Sequence, residues 1–321
     1  VVRSAAAQLA LLPLDRLRVH LLRATMPVSS YFAGRRAERV AALGLVSILL
    51  ALLGTAVVPL WMLAVGPIVL GVPHLLADLR YCVVRPGWHR RPALWVGVGL
   101  PLLAVALGAG AGVGFAAVAG VCAASEGSPR RRGLGLVIAA SGAAACVAWG
   151  ASASLVLVHL HNFVAVLLWW RWREAEPRQA RLRAVPIAAF VLGTALIAAG
   201  GLDPGLDGPL GLRLVLSFCF AQSVHYLIWL RLVPEDDRDR VSPRSFSASW
   251  RALVDELGWA LPCLALLFTL ALVGWALVDL RAARIGYLRA VEFHVFLELA
   301  VLASLWVSGR GFVIPNPSAQ S

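Results

Sequence analysis

The sequence predicts an all-α protein, a polytopic bundle of transmembrane helices with about ten crossings, eight at the fewest. Three observations carry this. Hydrophobic residues make up 60% of the 321 positions, charged residues only 14%, and the mean hydropathy is +0.79. A soluble domain carries roughly a quarter charged residues. Apolar runs of roughly 20 residues, the length of one crossing, recur along the chain. The charge lies between these runs, and the basic part of the net +12 is all arginine, since there is no lysine. That distribution reads as topology signal and contact with anionic lipid, not as a nucleic-acid surface.

Residues 1–39 form an arginine-rich arm, with Leu9, Leu12, Leu17 and Leu21 among the charges. We expect a cytoplasmic or interfacial segment, amphipathic if helical. No cleavable signal peptide is expected, because the first long apolar run starts only near Val40. The transmembrane domain is expected over 40–308, followed by a tail at 309–321. Its crossings are read at 40–58, 61–84, 93–109, 111–125, 134–150, 152–171, 185–200, 211–231, 252–278 and 286–307. The third, fourth and seventh are short. Loops 85–92, 128–132, 171–183 and 231–251 carry the arginines, whereas those near 59–60, 110, 150–151 and 201–210 carry none. The positive-inside bias therefore places both termini in the cytoplasm. Loop 279–285 goes against the pattern, with Arg281 and Arg284 on the expected outer side. The acidic run Glu235-Asp236-Asp237 is read as part of a solvated connector, and the tryptophans near segment ends as an interfacial belt. Cys82, Cys122, Cys146, Cys219 and Cys263 lie in or beside apolar runs without CxxC spacing, as small core residues.

Polar residues inside these runs are costly, and by default mark function. In Leu70–Tyr81, His74 and Asp78 stand four apart, on one helix face. His159 and His161, His225, and His294 interrupt three other crossings. His74 lies 11 residues before Arg85, His161 10 before Arg171, His225 6 before Arg231, and His294 8 after Gly286. At about 1.5 Å per residue these are broadly similar depths. Each histidine has a polar neighbour at helical spacing: Asp78, Asn162, Gln222 and Glu298. His159 and His161 point to nearly opposite faces, so one of them faces a shared centre; the spacing to Asn162 favours His159, and both stay candidates. Packing by interhelical hydrogen bonds is the plainer explanation for any single membrane histidine. Four segments at one level point instead to a shared metal. His20 and His89 read as surface residues.

Several neutral imidazoles with open positions suit Fe(II), with Zn or Cu as possible alternatives. HExxH, GxSxG, Walker and dinucleotide glycine motifs are absent, and no cysteines stand at iron–sulfur spacing. A metal reached through apolar walls implies a lipophilic substrate and a small oxidant such as O₂. Two rival classes use the same residues. One is a haem- or quinone-binding electron-transfer subunit; the other is a proton- or cation-coupled transporter.

Gly71-Val72-Pro73-His74-Leu75-Leu76-Ala77-Asp78 resembles the Gly-Leu-Pro-His-Gly-Ala-x-Asp signature of the Brp/Blh family, integral-membrane β-carotene dioxygenases that make retinal. Phe218–Tyr226 is similar to that family's aromatic segment with two close histidines, and Glu292–Glu298 to its late histidine segment followed by an acid. Leu75 and Leu76 replace the family's Gly-Ala, and Gln222 stands near the first histidine of its paired box. The resemblance implies a non-haem Fe(II) held by His74, His159 or His161, His225 and His294, cleaving a carotenoid with O₂. His74, His225 and His294 would then be catalytic, with Asp78, Asn162, Gln222 and Glu298 orienting them and Tyr226 near the substrate. A bacterial cytoplasmic membrane is the expected location.

Overall fold

The computed structural model describes residues 2–172, 177–203, 209–238 and 241–309. Arg173, the loop tip at 204–208, Arg240 and the tail from 310 lie outside the described residues. The described chain is helical, with no strand. We number α1 (Val2–Ala24), α2 (Arg36–Val57), α3 (Pro59–Val84), α4 (Pro92–Ala106), α5 (Ala111–Ala124), α6 (Pro129–Trp149), α7 (Ala151–Arg171), α8 (Pro177–Ala198), α9 (Leu210–Asp236), α10 (Phe246–Leu257), α11 (Ala260–Val278) and α12 (Leu280–Ser308). Eight of these are long and apolar enough to cross a membrane: α2, α3, α6, α7, α8, α9, α11 and α12. This is an integral membrane protein. α4 and α5, the third and fourth of the expected crossings, are the shorter apolar helices.

The surface agrees. Leu53 on α2, Leu192 on α8, and Leu264 and Leu267 on α11 are each about 60–70% exposed. So broad an apolar exterior would aggregate in water, whereas in hydrocarbon it is simply the solvated face. Buried residues from α2, α3, α7, α8, α9 and α12 form the main core. Within it α3 packs on α9, α9 on α7, α7 on α12 and α12 back on α3. These four helices enclose the polar centre.

Close approach depends on small residues. A Cβ on Gly120 of α5 would run into the Gly97 carbonyl oxygen of α4, so these two helices meet at backbone distance. A Cβ on Gly71 of α3 would stand 1.9 Å from the Tyr287 hydroxyl. One turn before His74, only glycine admits that phenol.

Three expectations are corrected. The run 252–278 is not one helix: Gly258, at φ +72°, ends the amphipathic α10 and α11 starts afresh at Ala260. Segment 279–285 is not a connector, because the Asp279 side chain accepts a hydrogen bond from Ala282 N (2.9 Å) and starts α12 there. The acidic run is not solvated, since α9 continues to Asp236 and buries Glu235, Asp236 and Asp237. Glu235 pairs with Arg39 of α2 at 2.6 Å and Arg238 at 2.7 Å, and Asp236 with Arg183 of α8 at 2.7 Å. Arg85 reaches Asp237 as well as Glu256 of α10, 2.8 Å away, which also binds Arg80 at 2.7 Å. Arginines from elsewhere in the chain, together with the adjacent Arg238, pair with these charges.

Candidate metal centre

Four imidazoles converge inside the ring of α3, α7, α9 and α12. His74 follows Pro73 on α3; Pro67 and Pro73 each remove a backbone donor from that helix. Just past Asp78 the helix widens into a π-helical turn, Leu79–Val84, and α9 does the same at Ile228–Leu232, three residues past His225. Such turns shift the phase of a helix and recur at functional sites. On α12, Glu292 interrupts the helix and His294 opens its second half.

His74 and His225 are fully buried, and their Nε2 atoms lie 2.9 Å apart. Ring centroids are 4.6 Å apart for His74–His225, 4.9 Å for His161–His225, 5.1 Å for His161–His294 and 5.3 Å for His74–His294. The His161 Nδ1 donates to the Val158 carbonyl (2.7 Å), and the His294 Nδ1 to the Val291 carbonyl. A carbonyl can only accept, so the proton sits on Nδ1 and the Nε2 lone pair is left free. That backbone anchoring of the second nitrogen is how metal-binding histidines are usually oriented.

Two carboxylates complete the centre. Asp78 Oδ2 is 3.2 Å from His74 Nε2, and Glu298 Oε1 is 3.3 Å from His225 Nε2 and 3.9 Å from His74 Nε2. Both acids are buried, and among the described residues no arginine ion-pairs with either. The Asp78 oxygens accept no hydrogen bond, and His74 Nδ1 makes none. An isolated buried carboxylate costs far more than a fold's whole stability margin unless it is paired or neutralised. The donor set, nitrogen and oxygen with no arginine paired to either acid among the described residues, fits a divalent metal ion. His74, His225 and His294 each bring one ligand atom within 4.8 Å of the other two, as do His74, Asp78 and Glu298.

The remaining candidates divide. His161 belongs to the cluster and His159 does not: its Nδ1 donates to the Leu155 carbonyl (2.8 Å) and its half-buried ring lies on Phe218, 5.0 Å between centroids. Asn162 is buried, but its amide donates to the Val158 carbonyl (3.1 Å), not to His159. Gln222 donates to the Tyr226 hydroxyl (3.0 Å), and the Tyr226 ring lies 5.5 Å from that of His74. His20 is exposed, and His89 is half-buried beside Arg90, outside the cluster.

Sequence reasoning missed two neighbours. Trp229 is fully buried with its ring 6.2 Å from His74, not part of an interfacial belt. Trp169 and Trp172 are buried too; the Trp169 indole donates to Asp236 at 3.1 Å. Tyr287 is buried against Gly71, and no local pattern singles it out. No protein-family model, no curated protein and no solved structure matches this chain.

Proposed function

We propose that this chain is a membrane-embedded, histidine-ligated metal oxygenase, with non-haem Fe(II) as the metal and a lipophilic substrate. One observation supports it above the rest: buried imidazoles from four separate helices meet two buried carboxylates with which, among the described residues, no arginine forms an ion pair. His74, His161, His225 and His294 would hold the ion. Bound Fe(II) would supply the O₂ chemistry that no side chain here provides. The chain's own part is to fix the imidazole tautomers through the Val158 and Val291 carbonyls and to keep bulk water out with Tyr226 and Trp229. Carotenoid cleavage to retinal-like aldehydes is the substrate reading, and it rests on the motif resemblance. An apolar groove of about 190 Å³ between α5, α6 and α7 suits a hydrocarbon guest. One of its walls, Phe115, packs on Phe296, two residues past His294.

The spacing of the rings favours a bare ion over haem. A bis-histidine haem needs a macrocycle between its axial nitrogens, and here the nitrogens of His74 and His225 are 2.9 Å apart with His161 and His294 crowding both. A bacterial cytoplasmic membrane is the location proposed with this reading, and the arginine-rich loops support an orientation with those loops inside.

Elemental analysis with a visible spectrum of detergent-purified protein tests the reading. We expect bound iron and no Soret band, and loss of the metal in His74→Ala and His225→Ala. A strong Soret band, or wild-type protein that takes up no metal under anaerobic loading with Fe(II), would reject it. In carotenoid-accumulating cells, expression should yield an apocarotenal that the same variants do not make.

A further inference from the structure

The apolar groove between α5, α6 and α7 leads toward the metal centre. It runs inward from Gly150, where α6 ends and α7 begins, with Ala145, Cys146, Trp149, Ser152 and Leu157 among its walls. Trp149 and Val156 on its rim are 70% and 56% exposed, so the mouth faces sideways into hydrocarbon. Among the described residues no charged side chain lines it, and Ser152 and the Trp149 indole stand beside Gly150. Leu157 is four residues before His161, on the same helix face. His161 itself lies ten residues past Ala151, about 15 Å from the arginine-free end of α7.

The inner wall is a pair of rings. Phe115 of α5 lines the groove and meets Phe296 of α12 edge-on, with 5.4 Å between centroids. Phe296 is buried two residues past His294, in one packed cluster with Cys146 and Ala153 of the groove. A Cβ on Gly114 would strike the Phe296 ring, and one on Gly142 the Phe115 ring. Both rings sit in notches that only glycine leaves.

We propose that this groove is the lateral entry for the substrate, taken end-first from the leaflet on the arginine-free side, and that Phe115 and Phe296 set how far it advances toward the histidines. The identity of the reacting molecule rests on the oxygenase reading above. Its leading end must be hydrocarbon, because a polar group carried past Ser152 meets apolar walls and burial of an unpaired one is costly.

Cys146, a native thiol on the groove wall, reports occupancy without turnover. Full-length protein with the exposed Cys263 replaced by serine, in phospholipid nanodiscs, is treated with an alkyl methanethiosulfonate, and labelled peptides are quantified by mass spectrometry. We expect Cys146 to react, and saturating β-carotene to slow that reaction about tenfold, since a pocket covers most of a bound ligand's surface. Zeaxanthin, the same skeleton with a hydroxyl at each end, should need about tenfold more for equal protection, the scale set by burying a hydroxyl with no partner. An unreactive Cys146, as a resident bilayer lipid would produce, overturns the entry; so does equal protection by the two carotenoids, or none. For the stop, Phe115→Ala in carotenoid-accumulating cells should move the cleaved double bond, read as apocarotenals of altered chain length. Unaltered length overturns it, and Phe115→Leu makes the same test if the alanine variant does not fold. Protection without any apocarotenal from the wild type would leave the entry standing and remove the oxygenase chemistry. Apocarotenal without protection would do the reverse.

Discussion

His159 and His161 show what a residue's spacing can and cannot reveal. Two positions apart on a helix means nearly opposite faces, so the sequence states that only one turns toward the other histidines, but not which. The choice belongs to how α7 rolls against α9 and α12, which no local pattern encodes. In the structure His161 meets His225 and His294 edge-on, while the His159 ring lies tilted on Phe218. The pair therefore makes an internal control. Replacing His161 by alanine should weaken metal binding at least tenfold, the scale seen when even an outer partner of a metal site is lost. Replacing His159 should leave metal content unchanged. Metal retained against a graded chelator series measures both, and equal loss from the two variants would contradict the assignment. The four depths, and the pairings of His74 with Asp78 and His294 with Glu298, were legible because they lie within single helices. Tyr287 was not, because its contact with Gly71 spans 216 residues of chain.

At the scale of an element, the acidic end of α9 and the short helix α10 act as a clasp at the arginine-rich end of the bundle. A run of charges reads locally as a solvated loop, and that reading failed because the partners, Arg39, Arg85 and Arg183, are far away in sequence. Glu256 of α10, which lies outside the membrane-spanning segments, is the clearest lever. Burial pushes its carboxyl upward, but hydrogen bonds and charge from Arg80 and Arg85 outweigh that and hold it down to about 2, against 4.5 unperturbed. A depressed folded-state value means the pair's stabilisation is complete above about pH 4.5 and drains away as the pH falls toward 2. The melting temperature of purified protein should accordingly drop across that window. Glu256→Gln should start lower at pH 7 and show a shallower acid decline. A variant whose acid profile parallels the wild type would show that the clasp contributes nothing.

For the whole molecule, the open question is whether α4 and α5 cross the bilayer or dip in and return. Because they come as a consecutive pair, either answer leaves the arginine loops before α4 and after α5 on one side, so charge bias alone cannot decide. Magnitudes can. α4 runs 15 residues and α5 14, about 22 Å each at 1.5 Å per residue, some 8 Å short of a hydrocarbon core about 30 Å thick. Thinning the bilayer to meet them costs fractions of a kcal/mol per Å, a few kcal/mol in all. Leaving the turn at Leu107–Gly110 inside hydrocarbon would strand several backbone groups away from water at several kcal/mol each. Thinning is the smaller cost, so the turn should lie in water on the side opposite the arginines, making ten crossings with the eight longer helices. A cysteine placed at Ala109, in a background with the exposed Cys263 replaced by serine, should react with a membrane-impermeant maleimide applied to intact spheroplasts. One placed at Gly133, next to Arg130–Arg132, should react only after the membrane is opened. If Ala109→Cys is instead protected from both faces and yields only to a lipid-soluble reagent, the pair is re-entrant and the bundle has eight crossings.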